Sequence, residues 1–368
     1  MVRAGGRTER TAPLLTLRLL TALFVAVVGG SARAPAGVEQ PVPLAKLLGQ
    51  RFVVRLDGPR PSPRFLARVR AGEVGGVIVF SDNVSSPAAL RRLLARLNAV
   101  ARAGGNPSLL VVVDQEGGSV KRLPAGPPSR SASELGRAGD PQRAFREGLA
   151  TGRYLRRHGI AVDLAPVLDV PASSASFLGT RAYGTSRFVV ARVGVAFARG
   201  LRAGGVAAAA KHFPGLGTAL RSTDDRPVTI ERSRAELDRR LLPFRVAIRN
   251  GVDVVMLSNA SYPAYDRSRR PAVFSRAIAD TMLRGTLGFR GLVITDDLEA
   301  RALTRHPRPA TQALRAGVDL VLFARSEEGG AHAYAQTLAD ARRGRLPRAE
   351  LERSHGAIVA LKRELGLR

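Results

Sequence analysis

The segment GVAAAAKHFPGLGTALRSTDD, residues 205–225, determines how the rest of the sequence is interpreted. Its small apolar residues 206–210 predict a strand buried on both faces, because such strands contain almost no polar side chains. Lys211 and His212 follow this run directly, and a loop containing Pro and Gly comes next. The segment therefore places charged groups at the end of a buried strand.

Eight short apolar runs alternate with amphipathic segments from residue 47 onward. The apolar runs are residues 47–56, 74–80, 109–113, 160–168, 206–210, 252–257, 292–295 and 318–323. Segments with helical spacing are residues 87–103, 141–158, 186–203, 233–250, 275–285 and 308–316, and two closing helices follow at 334–342 and 348–365. Strands separated by helices pair in parallel, and eight of them favour a closed (β/α)8 barrel over an open sheet. We expect one α/β barrel domain over residues 35–368.

The first 34 residues have the order of a secretory signal peptide. Four arginines precede an apolar run at 19–28, and Ser31-Ala32-Arg33-Ala34 supplies an Ala-x-Ala site. We expect cleavage near Ala34 and an exported protein that is secreted or associated with the cell wall. The apolar run is shorter than the ~20 residues of a membrane span, and an uncleaved anchor is the alternative.

Composition and charge restrict the choice of partners. The sequence contains no cysteine, which excludes disulfides, thiolate metal ligands and a cysteine nucleophile. The formal net charge is +28, and removing residues 1–34, with five arginines and one glutamate, leaves +24. We find no helix-turn-helix, zinc-finger or aromatic RNA-binding pattern, so nucleic acid is not a predicted partner. For an exported protein we expect an anionic cell-envelope surface instead, and a monomer is favoured.

Polar side chains follow most of the predicted strands. A (β/α)8 barrel carries its active site at the C-terminal ends of its strands, so a barrel enzyme should concentrate polar groups there. The sequence meets this requirement at six strand ends, with Asp57, Asp114, Asp169, Lys211 with His212, Ser258 with Asn259, and Asp296 with Asp297.

Three segments carry candidate functional residues besides the lysine–histidine pair. VVVDQEGGSVKRL, residues 111–123, places Asp114 at the end of a buried strand, and FLGTRAYG places Arg181 in the loop after the fourth strand. GLVITDDLEA, residues 291–300, ends a strand with two carboxylates. Successive strand residues face opposite ways, so Asp296 can point into the barrel mouth while Asp297 caps the following helix. We take Asp296 as the candidate nucleophile and Asp297 as structural.

Four motifs, EVGGVIVF, VDQEGG, KHFPG and GLVITDDLE, occur in an order and spacing that resemble the bacterial β-N-acetylglucosaminidases of glycoside hydrolase family 3. The resemblance covers about residues 40 to 368. It implies a retaining exo-glycosidase on a (β/α)8 barrel, without metal or organic cofactor. Its substrate would be terminal β-linked N-acetylglucosamine in cell-wall fragments or chitin-type saccharides.

The resemblance also assigns roles to individual residues. Asp296 matches the nucleophile that forms the glycosyl-enzyme intermediate. The groups that match those holding the sugar hydroxyls are Asp114, Arg122, Arg181, Lys211 and His212. Charged side chains form strong hydrogen bonds with hydroxyls, and these bonds can tighten as the ring approaches the oxocarbenium ion.

The sequence departs from the family pattern at the acid/base histidine. The commonest form reads KHFPGHGD and then Asp-Ser-His, in which the last histidine is the acid/base. This sequence has Leu216, Thr218, Ser222 and Asp224 at the corresponding positions. General acid catalysis is worth about 10²- to 10⁴-fold, so its loss would matter for a poor leaving group.

Three explanations of this departure remain open. Asp224 or Asp225 can replace the histidine as a carboxyl acid/base, and Asp224 is our candidate, because paired carboxylates suffice for glycoside hydrolysis. Another histidine, His306 after the seventh strand, can reach the rim. Alternatively, the barrel binds cell-wall saccharide without turnover.

A Schiff-base enzyme is a rival class, because a lysine at the end of a barrel strand can attack a carbonyl carbon. That chemistry needs an unprotonated lysine in an apolar pocket. Lys211 lies next to His212 and should face several aspartates, so we expect it to stay protonated.

Overall fold

The computed structural model describes residues 41–367 and contains a closed barrel of eight parallel strands. The strands are β1 Phe52–Arg55, β2 Gly76–Val79, β3 Leu110–Val113, β6 Val162–Asp163, β7 Ala207–Phe213, β8 Val254–Leu257, β9 Leu292–Asp297 and β10 Leu320–Phe323. Their order around the barrel is β1-β10-β9-β8-β7-β6-β3-β2, and β4 Gln115–Gly117 pairs with β5 Val120–Lys121 in a separate antiparallel hairpin. The predicted (β/α)8 fold is confirmed.

Helices surround the barrel and alternate with its strands. They are α1 Leu44–Gly49, α2 Pro63–Ala71, α3 Pro87–Ala103, α4 Ala132–Ala138, α5 Pro141–Arg157, α6 Arg187–Val189, α7 Val195–Ala203, α8 Arg234–Arg240, α9 Leu242–Arg249, α10 Pro309–Arg315, α11 Glu327–Arg342 and α12 Arg348–Glu364. The chain is π-helical at Val190–Gly194, between α6 and α7, and at Ala277–Thr286, between β8 and β9. Helix α3 begins and ends at the predicted residues, because the Ser86 hydroxyl caps its first turn and Gly104 follows its last residue.

The strands divide their side chains between two apolar cores. Alternate strand residues face opposite sides, so in β7 Ala207 and Ala209 face the barrel interior, while Ala208 and Ala210 pack against the helices. Ile358 and Leu361 of α12 belong to the interior core and close the end of the barrel at which the strands begin. The barrel interior is therefore a filled core.

Strand β7 extends further than its apolar run. The sequence placed Lys211 and His212 after a strand ending at residue 210, but the strand continues to Phe213. Lys211 pairs with Val167, and its carbonyl accepts a hydrogen bond from the Leu168 N–H at 2.7 Å. The strand-end prediction is wrong by three residues, because backbone pairing with the segment after β6 continues past the apolar residues.

The predicted signal peptide, residues 1–34, lies outside the described residues. Within residues 41–367, no helix combines the length and the apolarity that are needed to cross a membrane.

Candidate active site

A cavity of about 380 Å³ opens where the barrel strands end. Apolar side chains that point into the barrel form its floor, and they are Ile78, Leu164, Met256 and Leu322. The catalytic and sugar-binding candidates from the sequence all line it, namely Asp114, Arg122, Arg181, Lys211, His212, Asp224 and Asp296. The structure therefore brings together residues that are up to 182 positions apart in the sequence.

Strand periodicity explains why these side chains share the cavity. The interior row of β3 is Leu110, Val112 and then Asp114, and the interior row of β9 is Leu292, Ile294 and then Asp296. Lys211 continues the interior row of β7 in the same way. His212 also lines the cavity because strict alternation ends there, where the β7–β8 register shifts between Ala210 and Phe213.

Lys211 is buried between two carboxylates. Its Nζ lies 2.6 Å from Asp114 Oδ1 and 2.7 Å from Glu116 Oε1, and the residue is only 2% exposed. Burial acts to lower the pKa of Lys211, but the charges of Asp114 and Glu116 outweigh it and raise the pKa. A protonated lysine is not a nucleophile, so this arrangement argues against the Schiff-base class.

Glu116 links this lysine to Arg181. The guanidinium donates from Nε to Oε2 at 2.8 Å and from Nη2 to Oε1 at 2.9 Å, a bidentate pair. Burial opposes ionisation of Glu116, yet Lys211 and Arg181 together lower its pKa to about 2. Arg122 lies 4.0 Å from Asp114 Oδ2 and packs over the Phe80 ring. The cluster is fixed before any ligand arrives.

His212 is oriented by a buried carboxylate. Its Nδ1 lies 2.7 Å from Oδ2 of Asp169, which is fully buried. The other oxygen of Asp169 accepts the backbone N–H of Leu216 at 2.6 Å, so the same carboxylate also anchors the loop after β7. Because Nδ1 is engaged, Nε2 is the ring nitrogen left for a ligand.

Asp296 and Asp297 have different surroundings at the end of β9. Burial raises the pKa of Asp296, the charge of His212 lowers it, and the charge of Asp224 raises it further. Burial raises the pKa of Asp297 to about 7. Oδ1 of Asp297 accepts the backbone N–H groups of Glu299 and Ala324, each at 3.0 Å. Asp297 thus joins the ends of β9 and β10, instead of capping a helix as expected.

The loop after β7 brings Asp224 to the cavity with its side chain exposed. The Ser222 hydroxyl donates to Oδ2 of Asp224 at 3.1 Å, and the backbone carbonyl of Asp224 accepts the N–H of Arg301 at 3.2 Å. Asp225 does not line the cavity. His306 does not line it either, since its ring packs on Phe274 at 5.0 Å between centroids. Of the proposed replacements for the histidine, Asp224 is the one that lines the cavity.

Several predicted strand-end groups have structural positions instead. Asp57 accepts the N–H of Glu327 outside this cavity, and the Asn259 amide donates to the Asp297 carbonyl. Ser258 is fully buried and its hydroxyl accepts the N–H of Ala260. These residues satisfy backbone groups where strands end, which is also a common use of short polar side chains.

Sequence reasoning missed two cavity groups and the supporting roles of two carboxyls. Glu116 and Arg325 line the cavity, while Asp169, predicted only as a strand-end group, holds His212 from behind. Asp163 accepts the N–H of Gln115 at 2.9 Å, while burial raises its pKa to about 8. The only available signal was the second acid in VDQEGG, since the role of the others depends on partners distant in sequence. Among the described residues, no group of three His, Cys, Asp or Glu is arranged to hold a metal ion.

Comparison with known families identifies the family of this chain. A family model described as the glycosyl hydrolase family 3 N terminal domain matches residues 46–361, most of the chain. The chain belongs to glycosyl hydrolase family 3. The resemblance inferred from the four motifs is confirmed, and this family 3 protein is a glycoside hydrolase.

Curated relatives cover most of this family 3 chain. An uncharacterized secreted glycosyl hydrolase of Arthroderma benhamiae is 35% identical over 338 residues, which are 88% of this chain and 94% of the relative. A β-hexosaminidase of Nitrosomonas eutropha is 36% identical over 262 residues, covering 68% of this chain and 73% of the relative.

Solved structures of family 3 enzymes have the same barrel. A β-N-acetylglucosaminidase from Paenibacillus matches with a TM-score of 0.84 and 36% identity, over 88% of this chain and 63% of that longer one. A β-N-acetylhexosaminidase from Beutenbergia cavernae matches with a TM-score of 0.80 and 32% identity, over 87% of this chain and 98% of that one.

Proposed function

We propose that this family 3 protein is a retaining exo-glycosidase that hydrolyses terminal β-linked N-acetylglucosamine from cell-wall fragments or chitin-type saccharides. The observation that carries the proposal is the shared cavity. A carboxylate on the interior row of β9, Asp296, faces the same space as the Asp114–Lys211–Glu116–Arg181 cluster. Such a space can hold a sugar ring between a nucleophile and a set of fixed hydrogen-bonding groups.

The substrate class is supported by the relatives and by the shape of the cavity. Relatives and structural neighbours are named β-hexosaminidases, β-N-acetylglucosaminidases and β-N-acetylhexosaminidases. The apolar floor closes the cavity toward the barrel core, so a terminal sugar unit can enter it from the strand-end side. A cavity closed at one side favours removal of terminal units.

The sugar hydroxyls are held by the charged groups around the cavity, which are Asp114, Arg122, Arg181, Lys211 and His212. Asp114 accepts hydrogen bonds from hydroxyls, while the guanidinium groups and Lys211 donate to them. Since Glu116 and Asp169 already fix three of these side chains, little reorganisation accompanies binding.

The mechanism we propose has two displacements. A carboxylate oxygen of Asp296 attacks the anomeric carbon as the bond to the aglycone oxygen breaks, and Asp224 gives its proton to that oxygen. Asp224, now ionised, takes a proton from water, which attacks the anomeric carbon and releases Asp296. Asp224 and Asp296 line the same cavity, which supports the pairing, because retention requires two carboxyl groups that face each other across the scissile bond.

We also propose that the protein is exported through residues 1–34, which are cleaved as a signal peptide, and that residues 35–368 form one barrel domain. The order of charge, apolar run and Ala-x-Ala site supports export. A relative named as a secreted glycosyl hydrolase agrees with it.

The test is turnover of 4-nitrophenyl N-acetyl-β-glucosaminide beside a panel of other nitrophenyl glycosides. We expect the N-acetylglucosaminide to be preferred, the initial sugar product to be the β anomer by proton NMR, and Asp296→Asn to abolish turnover of every substrate. The matched control, Asp225→Asn, changes a neighbouring carboxylate outside the cavity and should keep activity. An initial α anomer, or an active Asp296→Asn enzyme, contradicts the mechanism.

The exposure of Asp224 favours one alternative, a barrel that binds cell-wall saccharide without cleaving it. The same cavity then holds the sugar, but no group protonates the aglycone oxygen. That alternative predicts saturable saccharide binding by calorimetry with no nitrophenol release, even at high enzyme concentration.

A further inference from the structure

Charge is distributed unequally between the two sides of the barrel. The helices that follow β1, β2, β3, β6 and β7 carry 21 arginines and three carboxylates, counting α2, α3, α5, residues 187–203, α8 and α9. We call this side the arginine wall. On the other side of the barrel, the π-helix at Ala277–Thr286 and helices α10, α11 and α12 carry seven basic and seven acidic residues in total. The first group has a formal charge of +18 and the second group has none.

A general arginine bias does not account for this difference. Such a bias would raise the charge of all outer helices, yet +18 of the +24 carried by residues 41–367 lies on the arginine wall. The strands are consecutive around the barrel, in the order β1, β2, β3, β6, β7, so the wall helices are also consecutive. The charge therefore forms one continuous surface.

The arginines at the centre of this surface are not neutralised within the protein. Arg91, Arg96, Arg153 and Arg157 are exposed on α3 and α5, and no ion pair among the described residues involves them. Helix α3 contains no acidic residue, and Glu147, the only one on α5, accepts from Ser129 instead. Free guanidinium groups bind phosphate in a bidentate manner and release its counterions.

We propose that the arginine wall binds a flexible, phosphate-bearing polymer of the cell-envelope type, built of phosphodiester-linked polyol units, and so holds the enzyme beside its saccharide substrate. The wall lies on the side of the barrel, so a polymer bound there leaves the cavity at the strand ends open. Electrostatic binding by several contacts is reversible and depends on salt.

Curvature and composition favour this partner over a bilayer or a nucleic acid. A curved wall of six helical segments presents only part of its charge to a plane, whereas a flexible polymer can follow it. Among the described residues, the exposed large apolar side chains are Val42, Phe188 and Leu220, of which only Phe188 is on the wall. Membrane-surface helices insert an apolar face, and single-stranded nucleic acids stack on several aromatic rings.

The experiment measures retention on an immobilised glycerol phosphate polymer as NaCl is raised. The wall variant combines R91Q, R96Q, R153Q and R157Q, and the matched control combines R315Q, R342Q, R343Q and R363Q, which removes the same charge from the other side. Each removed phosphate contact should reduce the slope of log K against log salt by about 0.7 to 0.9. We expect a reduction of up to about 3 in the wall variant and nearly none in the control.

The result can overturn the proposal in three ways. Equal losses in both variants mean that binding follows net charge alone. If the unmodified protein is not retained at about 50 mM salt, the polymer is not its ligand. If the protein binds single-stranded DNA or phosphatidylglycerol vesicles more tightly than the polymer, that molecule is the partner instead. The pairs R91Q/R96Q and R153Q/R157Q are measured separately in case the fourfold variant does not fold. Hydrolysis of the nitrophenyl glycoside should be unchanged in all of them.

Discussion

At the scale of single residues, the proposed mechanism depends on Asp224. Its side chain is exposed, with the Ser222 hydroxyl as its hydrogen-bonding partner. General acid catalysis contributes most when the leaving group is poor, since an alkoxide needs a proton more than a nitrophenolate does. We therefore expect the contribution of Asp224 to depend on the leaving group.

The variant Asp224→Ala tests this dependence. Substrates with a poor leaving group need the proton most, so their kcat/KM should fall by about 10²- to 10⁴-fold, while the nitrophenyl substrate should lose far less. Azide, a small anion that can attack the glycosyl-enzyme without a base, should restore turnover of the nitrophenyl substrate. Steady-state kinetics on N-acetyl-chitobiose and on the nitrophenyl glycoside measure the two effects.

The neighbouring variant Asp225→Ala serves as the control, because Asp225 is exposed but outside the cavity. It should leave both substrates at the unmodified rate. Small and equal effects of Asp224→Ala on the two substrates, with no response to azide, would remove Asp224 from the mechanism.

Sequence patterns could predict the residues that strand periodicity aims at the cavity, but not those that hold them. Asp296 and Asp114 continue interior rows that are visible in the sequence as alternate apolar residues. Glu116 acts through Arg181, 65 residues away, and Asp169 acts through His212, 43 residues away. Which distant side chain meets which is decided by packing, so pattern alone leaves it open.

At the scale of secondary structure elements, the signals that worked were local. Each of the eight apolar runs overlaps a barrel strand, and Ser86 and Gly104 mark the ends of α3 as expected of a capping residue and a helix stop. The continuation of β7 to Phe213 was not predictable from hydrophobicity, because its last residues are held by pairing with another segment. The same applies to the short β4–β5 hairpin, whose strands contain few apolar residues.

Helix α12 closes the barrel with an unusual buried lysine. Lys362 Nζ donates to Gln50 Oε1 at 2.6 Å and to the Gly75 carbonyl at 2.8 Å, and the residue is 1% exposed. Burial lowers the pKa of Lys362 to about 7. No carboxylate contact compensates the charge among the described hydrogen bonds and ion pairs of this lysine.

The buried lysine should make stability rise with pH. In the unfolded chain Lys362 has a pKa of about 10.4, so above pH 7 the unfolded state binds more protons than the folded state. The free energy of unfolding should therefore increase between about pH 7 and pH 10, and Lys362→Met should remove this contribution. Urea unfolding at several pH values measures the difference in slope between the variant and the unmodified protein.

The control for Lys362→Met is Lys46→Met on α1. Lys46 is also a lysine that donates to a backbone carbonyl, that of Gly104. This variant should retain the slope of the unmodified protein. Parallel stability curves for Lys362→Met and the unmodified protein would show that Lys362 does not titrate in this range.

At the scale of the whole molecule, the barrel topology places most of the net positive charge on one side of the protein. The sequence shows the net charge of +28 and an excess of arginine, but not on which side of the folded protein that charge lies. The closed barrel arranges the outer helices in chain order, so the arginine-rich helices between β1 and β8 become one side. Composition alone could not predict this polarity, because it depends on which helices become neighbours.

Clustered like charge should also make the stability of the barrel depend on salt, whatever the wall binds. The screening length falls from about 30 Å at about 10 mM salt to about 8 Å at about 150 mM, so repulsion between neighbouring wall helices weakens. We expect Tm to rise with NaCl over this range, by about 1 to 2 °C if the repulsion is worth about 1 kcal/mol. The variant R91Q/R96Q/R153Q/R157Q should be more stable than the unmodified protein at low salt and gain less from NaCl, whereas R315Q/R342Q/R343Q/R363Q should gain as much as the unmodified protein. Differential scanning calorimetry measures the Tm of each protein as NaCl is raised. Equal increases of Tm in both variants would show that the repulsion is not concentrated on the arginine wall.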